Sequence, residues 1–409
     1  MRLFGKTIKP DFADKGMSKN DIGSDKLYYL ESVRGVAAFT VLLSHIAASY
    51  YPAVTFGPSV AINSSIMFKL FYGLPFGFLT TGSFAVVLFF TLSGFVLTNK
   101  YIKTKQMKDL LNQVAKRYIR LAIPIFCVVM VAYFMISNGL MKNTLNAYYI
   151  TDSPTLMQIF SIVPNFAGAL YNALFGVLIN KNASFDPVMW TMPIELVGSF
   201  IVFGMAALVN NFNKRWFLYA GIIIFLGSSY YVCFVLGMLL ADLVNNTNFV
   251  VYVRKNVSKV YIIILSIAVL IIASFPYPLA GLKGMIFEHM LIPGLDSIYI
   301  YSIWQFLGAF ILLAIVLVSP KVQKFLNAKI LVFMGGISFA FYLTHYLVLH
   351  SLGDSIFVRL YPKIGLHYSV LITSIATLLV TLCVSIIWKK YIDDFSVRVS
   401  RRFSGYILK

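Results

Sequence analysis

Apolar runs long enough to cross a bilayer recur from residue 28 to residue 388. A helix needs about 20 apolar residues to span the hydrocarbon. Segments that meet or approach this length lie near 28–51, 75–98, 118–139, 187–210, 216–228, 230–245, 260–276, 301–319, 330–352 and 368–388, the fifth and sixth being the shortest. With 59% hydrophobic and only 12% charged residues, a soluble domain is excluded. The expected fold is an all-α integral membrane protein, a bundle of about ten transmembrane helices.

The net charge of +19 does not point to nucleic acid, because the basic residues sit between the apolar runs and form no single patch. Placing the N-terminus in the cytoplasm leaves only Lys69, Lys142, Lys181, Lys283, Arg359 and Lys363, six of the 34 Lys and Arg, for the opposite side. That bias fixes orientation by the positive-inside rule and puts both termini in the cytoplasm. Residues 1–26 read as a polar cytoplasmic tail without a signal-peptide core, so nothing is expected to be removed. Residues 27–390 form the membrane domain and 391–409 a basic cytoplasmic tail. The outer loops 140–186 and 277–300 are long enough to lie back over the bundle as partial helices or a lid. Cys127, Cys233 and Cys383 are scattered in apolar runs, which suits core packing better than a disulfide or metal site. No internal repeat is evident, which weakens a transporter built from inverted repeats.

The first segment, LESVRGVAAFTVLLSHIAASYY, carries two groups that a plain anchor would avoid, Arg34 and His45. An ionisable side chain at the centre of a membrane helix costs about 2.5–3.5 kcal/mol on insertion scales. Eleven residues apart at about 100° each, the two return to the same helix face, offset by about 16 Å along the axis. Depth sorts the other polar groups with them. Glu195 and His345 are expected near His45 in the outer half, whereas Ser93, Arg117 and Arg120 join Arg34 at the cytoplasmic end. Guanidinium groups suit phosphates, and a buried imidazole can take a proton from a hydroxyl near neutral pH, with a carboxylate such as Glu195 to orient it. Each residue also has a plainer reading. Arg34 can snorkel to headgroups, Arg117 and Arg120 can be positive-inside anchors, Ser93 can bond its own helix, and Glu195 can be a protonated packing residue. His350, His289 and His367 read as interfacial.

Five short elements then point to a family. Leu30-Glu31-Ser32-Val33-Arg34-Gly35 with Ser44-His45, Phe89-Phe90-Thr91-Leu92-Ser93-Gly94-Phe95, Arg117-Tyr118-Ile119-Arg120-Leu121, Trp190-Thr191-Met192-Pro193-Ile194-Glu195, and Tyr342-Leu343-Thr344-His345 occur in order across residues 27–395. In this the chain resembles the acyltransferase 3 family of membrane-bound O-acyltransferases. The third element departs from it in having Lys116-Arg117 where a doubled Arg is common. The resemblance implies transfer of an acyl group, commonly acetyl from acetyl-CoA, to a hydroxyl of a carbohydrate or glycolipid outside the cytoplasmic membrane, by habit of the family a bacterial one. It places His45 in catalysis and Arg34, Arg117 and Arg120 on the phosphates of acyl-CoA, to which the reading of the residues adds Glu195 as the catalytic partner of His45 and Ser93 in the acyl-CoA cluster. Acyl-CoA is then a co-substrate, and no permanently bound cofactor or metal is expected. Trp190, Tyr342 and His345 are left for the acceptor or for structural polar contacts; aromatics at this depth also serve as belt residues. A secondary transporter or flippase with a His45/Glu195/His345 relay is the rival reading. Acyl chain, acceptor hydroxyl and oligomeric state have no signal in the sequence.

Overall fold

The computed structural model describes residues 27–57, 65–157, 164–209, 212, 214–277, 282 and 285–408. The expected 1–26 tail and parts of the loops 140–186 and 277–300 lie outside these. Every regular element among the described residues is helical. The principal helices are α1 (Tyr28–Tyr50), α2 (Gly82–Thr104), α3 (Met107–Ser137), α4 (Thr191–Val209), α5 (Arg215–Leu226), α6 (Tyr231–Asn246), α7 (Lys259–Ala273), α8 (Ser297–Val318), α9 (Lys329–Val348), α10 (Asp354–Trp388) and α11 (Asp394–Ile407).

Each of the ten expected segments overlaps a helix, but by length and composition fewer of them are spans. Tyr28–Tyr50, Gly82–Thr104, Met107–Ser137, Pro187–Val209, Ser297–Val318 and the long run Lys329–Ile407 are long and apolar enough to cross a membrane, six in all. A seventh counts if α6 and the following Phe249–Asn256, bent by 81°, make one span. At 12 and 15 residues, α5 and α7 are shorter than the hydrocarbon thickness requires. The last run is broken at Gly365, whose φ of +73° and ψ of 179° no L-residue holds comfortably. Two expected crossings, 330–352 and 368–388, fall on either side of that kink. The segment after residue 390, expected as a tail, is the helix α11 and packs along α3.

Two backbone crossings organise the bundle. A Cβ on Gly35 of α1 would stand 2.6 Å from the Gly335 nitrogen of α9, and one on Gly237 of α6 would overlap the Thr91 carbonyl oxygen of α2. Only glycine lets these pairs approach so closely, which is how helices associate where lipid gives no hydrophobic drive. The main core lies between α2, α3, α4, α6, α8 and α9, and a second cluster joins the C-terminal half of α1 to α10. Into that second cluster fold the short helices Asn143–Thr151 and Pro154–Met157, with Ala147 and Leu156 fully buried. Outward-facing side chains are apolar, as Phe217, Ile224 and Phe225 on α5 and Ile263 and Ile264 on α7 illustrate. Of the cysteines, Cys233 is buried and Cys127 half-buried, but Cys383 is exposed on this apolar surface and packs no core.

Candidate active site

Two cavities enter the bundle from opposite ends and share a wall. The first, of about 450 Å³, is lined at the N-terminal end of α1 by Arg34 and further by Ser93, Lys116, Arg117, Arg120, Glu195 and Arg401. The second, of about 470 Å³, is lined at the C-terminal end of α1 by Ser44 and His45, with Thr80, Thr81, Trp190, Tyr277 and Tyr301. Val86 and Tyr342 line both. Arg34 and His45 therefore open into different cavities along one helix, as their 11-residue spacing implies.

The cationic cavity is internally wired. Glu195 accepts a hydrogen bond from Ser93 Oγ at 2.7 Å and forms a close ion pair with Arg117, whose Nε donates to Ser199 Oγ at 2.6 Å. Arg120 pairs with Asp393 at 2.5 Å, donates to Ser396 Oγ at 2.6 Å, and lies over the Phe339 ring at 5.2 Å. The structure thus gathers Arg34, Ser93, Arg117 and Arg120 as the sequence suggests, but adds Glu195 to them. Glu195 serves as the counter-ion of Arg117 and does not stand beside His45. The cause is the entry of its helix. The turn Pro187–Trp190 that precedes α4 is itself deep in the bundle, with Val188 and Met189 buried, so counting residues from 187 underestimates the depth of Glu195.

At the other cavity, the neighbours of His45 come from α9. Its ring lies 5.3 Å from that of His345 and 5.1 Å, edge-on, from that of Tyr346, centroid to centroid. His345 Nδ1 is 2.7 Å from the Tyr342 carbonyl and 3.2 Å from that of Phe341. Carbonyls only accept, so Nδ1 carries the proton and, in the neutral ring, Nε2 keeps a lone pair. That Nε2 is buried and makes no hydrogen bond among the described residues. Beyond Tyr346 lies His350, 4.2 Å away ring to ring; its Nδ1 is 3.0 Å from Asp354 Oδ2, and Tyr50 donates to Asp354 Oδ1 at 2.7 Å. His350 is fully buried, so its expected interfacial place is corrected. Helix α9 continues through Leu349–Gly353 into α10, which keeps His350 and Asp354 four residues apart on one inward face.

Tyr342 ties the shared wall to α4. Its hydroxyl donates to the Val188 carbonyl at 3.1 Å and meets Thr191 Oγ1 at 2.9 Å, holding in place the turn that presents Trp190 to the second cavity. Asp186, just before that turn and 1% exposed, caps Val188 N at 3.3 Å and leaves Oδ2 without a hydrogen bond among the described residues. Sequence reasoning noted Lys116 only as a departure from the family's doubled Arg, and missed Arg401 in the first cavity and Tyr50, Tyr346 and Asp354 beside the second. The four-residue spacing of His350 and Asp354 was the available signal for the latter. No group of three His, Cys, Asp or Glu suited to a metal occurs among the described residues.

Residues 27–388 match the family model described as an acyltransferase domain, Acyl_transf_3. No curated protein and no solved structure matches the chain. A match over nearly the whole length, on a multi-pass helical bundle with these two cavities, identifies the chain as a membrane acyltransferase belonging to the acyltransferase 3 family.

Proposed function

We propose that this acyltransferase moves an acyl group, acetyl in the simplest case, from acyl-CoA on the cytoplasmic side to a hydroxyl of an extracytoplasmic carbohydrate, such as O-antigen, capsule or exopolysaccharide. In this reading all ten apolar segments cross a bacterial cytoplasmic membrane and both termini are cytoplasmic. The short α5 and α7 cross by local thinning of the bilayer or by setting their ends among the headgroups. One observation carries the proposal: a cavity rich in cations and a cavity containing His45 meet back to back at Val86 and Tyr342.

Each cavity suits one substrate. The cationic one fits the phosphates of CoA, whose pantetheine arm is comparable in reach to the offset of about 16 Å between Arg34 and His45. The other, rimmed by Trp190, Tyr277 and Tyr301, offers aromatic faces to a sugar ring. His45 takes the proton of the acceptor hydroxyl, and the resulting alkoxide attacks the thioester carbonyl. The C–S bond breaks, and the thiolate leaves as the thiol after receiving that proton from the imidazolium. The free lone pair of His345 Nε2, on a ring 5.3 Å from that of His45, is the acceptor proposed to hold the second ring proton of His45, the part the sequence assigns to Glu195.

The test is transfer of label from acetyl-CoA to membrane glycolipid or polysaccharide by reconstituted protein, wild type against His45→Ala. Label reaching carbohydrate only with the wild type is the expected result. Equal transfer by both removes His45 from the chemistry. If no acyl-CoA in a panel of chain lengths is consumed with any acceptor, the acyl-CoA reading falls and a transport function takes its place.

A further inference from the structure

The family match ends at residue 388, yet the cationic cavity does not. Val397, Ser400 and Arg401, all on α11, form part of its wall. Helix α11 lies along α3 on the buried serines Ser396, Ser400 and Ser404, four residues apart, and small side chains on one face allow close approach. Arg120 of α3 fastens it through Asp393 and Ser396.

This fastening changes which cations are left for a ligand. Arg117 is neutralised by Glu195 and Arg120 by Asp393. Lys116 and Arg401 line the same cavity and neither forms an ion pair among the described residues; Lys116 is repelled by Arg401, and the opposing attraction of Asp109, which is itself paired with Lys100, is weaker. Two like charges held together at the mouth of a cavity without ion-pair partners of their own are stabilised by a bound anion. We propose that α11 is the cytoplasmic wall of the donor site and that Arg401 with Lys116 binds the terminal phosphate of the donor, the 3′-phosphate of the nucleotide in CoA. This rests on the acyl-CoA reading. Chemistry occurs toward Tyr342 and His45, so the end of the donor farthest from its acyl group lies at the mouth, where these two cations are. Arg120 is then a clamp for α11 and no phosphate ligand.

Binding of CoA and of 3′-dephospho-CoA to the full-length protein in nanodiscs tests this, comparing wild type, Arg401→Gln and Arg398→Gln. Arg398 is exposed on the same helix and lines no part of the cavity, so its variant controls for loss of charge on α11. The expected result is a Kd for CoA raised about tenfold in Arg401→Gln, the scale of one charge-assisted phosphate contact, with the Kd for 3′-dephospho-CoA unchanged. Arg398→Gln is expected to match the wild type with both ligands. Equal affinity of wild type and Arg401→Gln for CoA, or an equal loss with both ligands, overturns the assignment while the acyl-CoA reading stands. A wild type that binds neither ligand overturns both. Thermal melts of each variant without ligand identify a folding defect, and in that event Arg401→Lys, which keeps the charge, is expected to restore discrimination between the two ligands; failure to do so also overturns the assignment.

Discussion

Replacing Glu195 by Gln separates its observed place from the role expected from the sequence. In the structure Glu195 neutralises Arg117, with side-chain exposures of 15% and 13%. Glutamine keeps an oxygen for Ser93 and Arg117 but removes the charge. Deleting one member of a fully buried pair costs about 3–5 kcal/mol, and an exposed pair is worth about 0–1. This pair lies at a cavity wall and keeps its serine partners, so a loss of about 2 kcal/mol is expected, visible as a lower melting temperature. The double variant Arg117→Met/Glu195→Met is expected to recover most of it, because no unpaired charge remains. The effect on binding runs in the opposite direction. The cavity is lined by five cations, Arg34, Lys116, Arg117, Arg120 and Arg401, and by the single carboxylate Glu195, so the variant raises the formal charge of the lining from four positive to five. With acyl-CoA as the donor, as proposed above, binding is therefore expected to be about two- to fivefold tighter, as one partly screened charge implies. The pH midpoint of kcat is expected to stay where it is in the wild type. Calorimetric binding and a pH–rate profile supply both readings. Weaker donor binding together with a displaced pH midpoint refutes this reasoning and returns Glu195 to the side of His45.

A further outcome follows from the packing. A Cβ at Gly237 would overlap the Thr91 carbonyl and stand 2.7 Å from Phe95 N, whereas one at Gly204 meets nothing within 4 Å. Gly237→Ala should cost about 1–3 kcal/mol and Gly204→Ala close to none, as unfolding in denaturing detergent will measure.

Helical periodicity made the axis of the site legible. Eleven residues between Arg34 and His45 return to one face whatever surrounds them, and the two cavities duly lie at the two ends of α1. The approach of His345 to His45 was also accessible from depth. Glu195 was misplaced because depth was counted from a boundary that is not at the membrane surface: the turn before α4 starts inside the bundle. Short α5 and α7 have apolar composition without the length to span alone, which composition along a chain does not distinguish. His350 was assigned to the interface because the break between two crossings was set at residue 352, while the helix runs on through Asp354. Arg401 escaped notice because a basic stretch after the last apolar run looks like an anchor. Only the serines at 396, 400 and 404 hinted that this stretch has a packed face.

The wall formed by Val86 and Tyr342 has a consequence for the cell as well as for the reaction. Two cavities of about 450 and 470 Å³ placed end to end would, if joined, form a wet bore along the bundle. A valine and a tyrosine, the latter fixed by Val188 and Thr191, stand where that short circuit would open. In the proposed reaction an acyl group is small enough to be handed past such a partition while both parent molecules stay on their own sides. The proposed enzyme thereby exports chemical substituents and keeps the membrane electrically sealed, with Tyr342 acting as insulation.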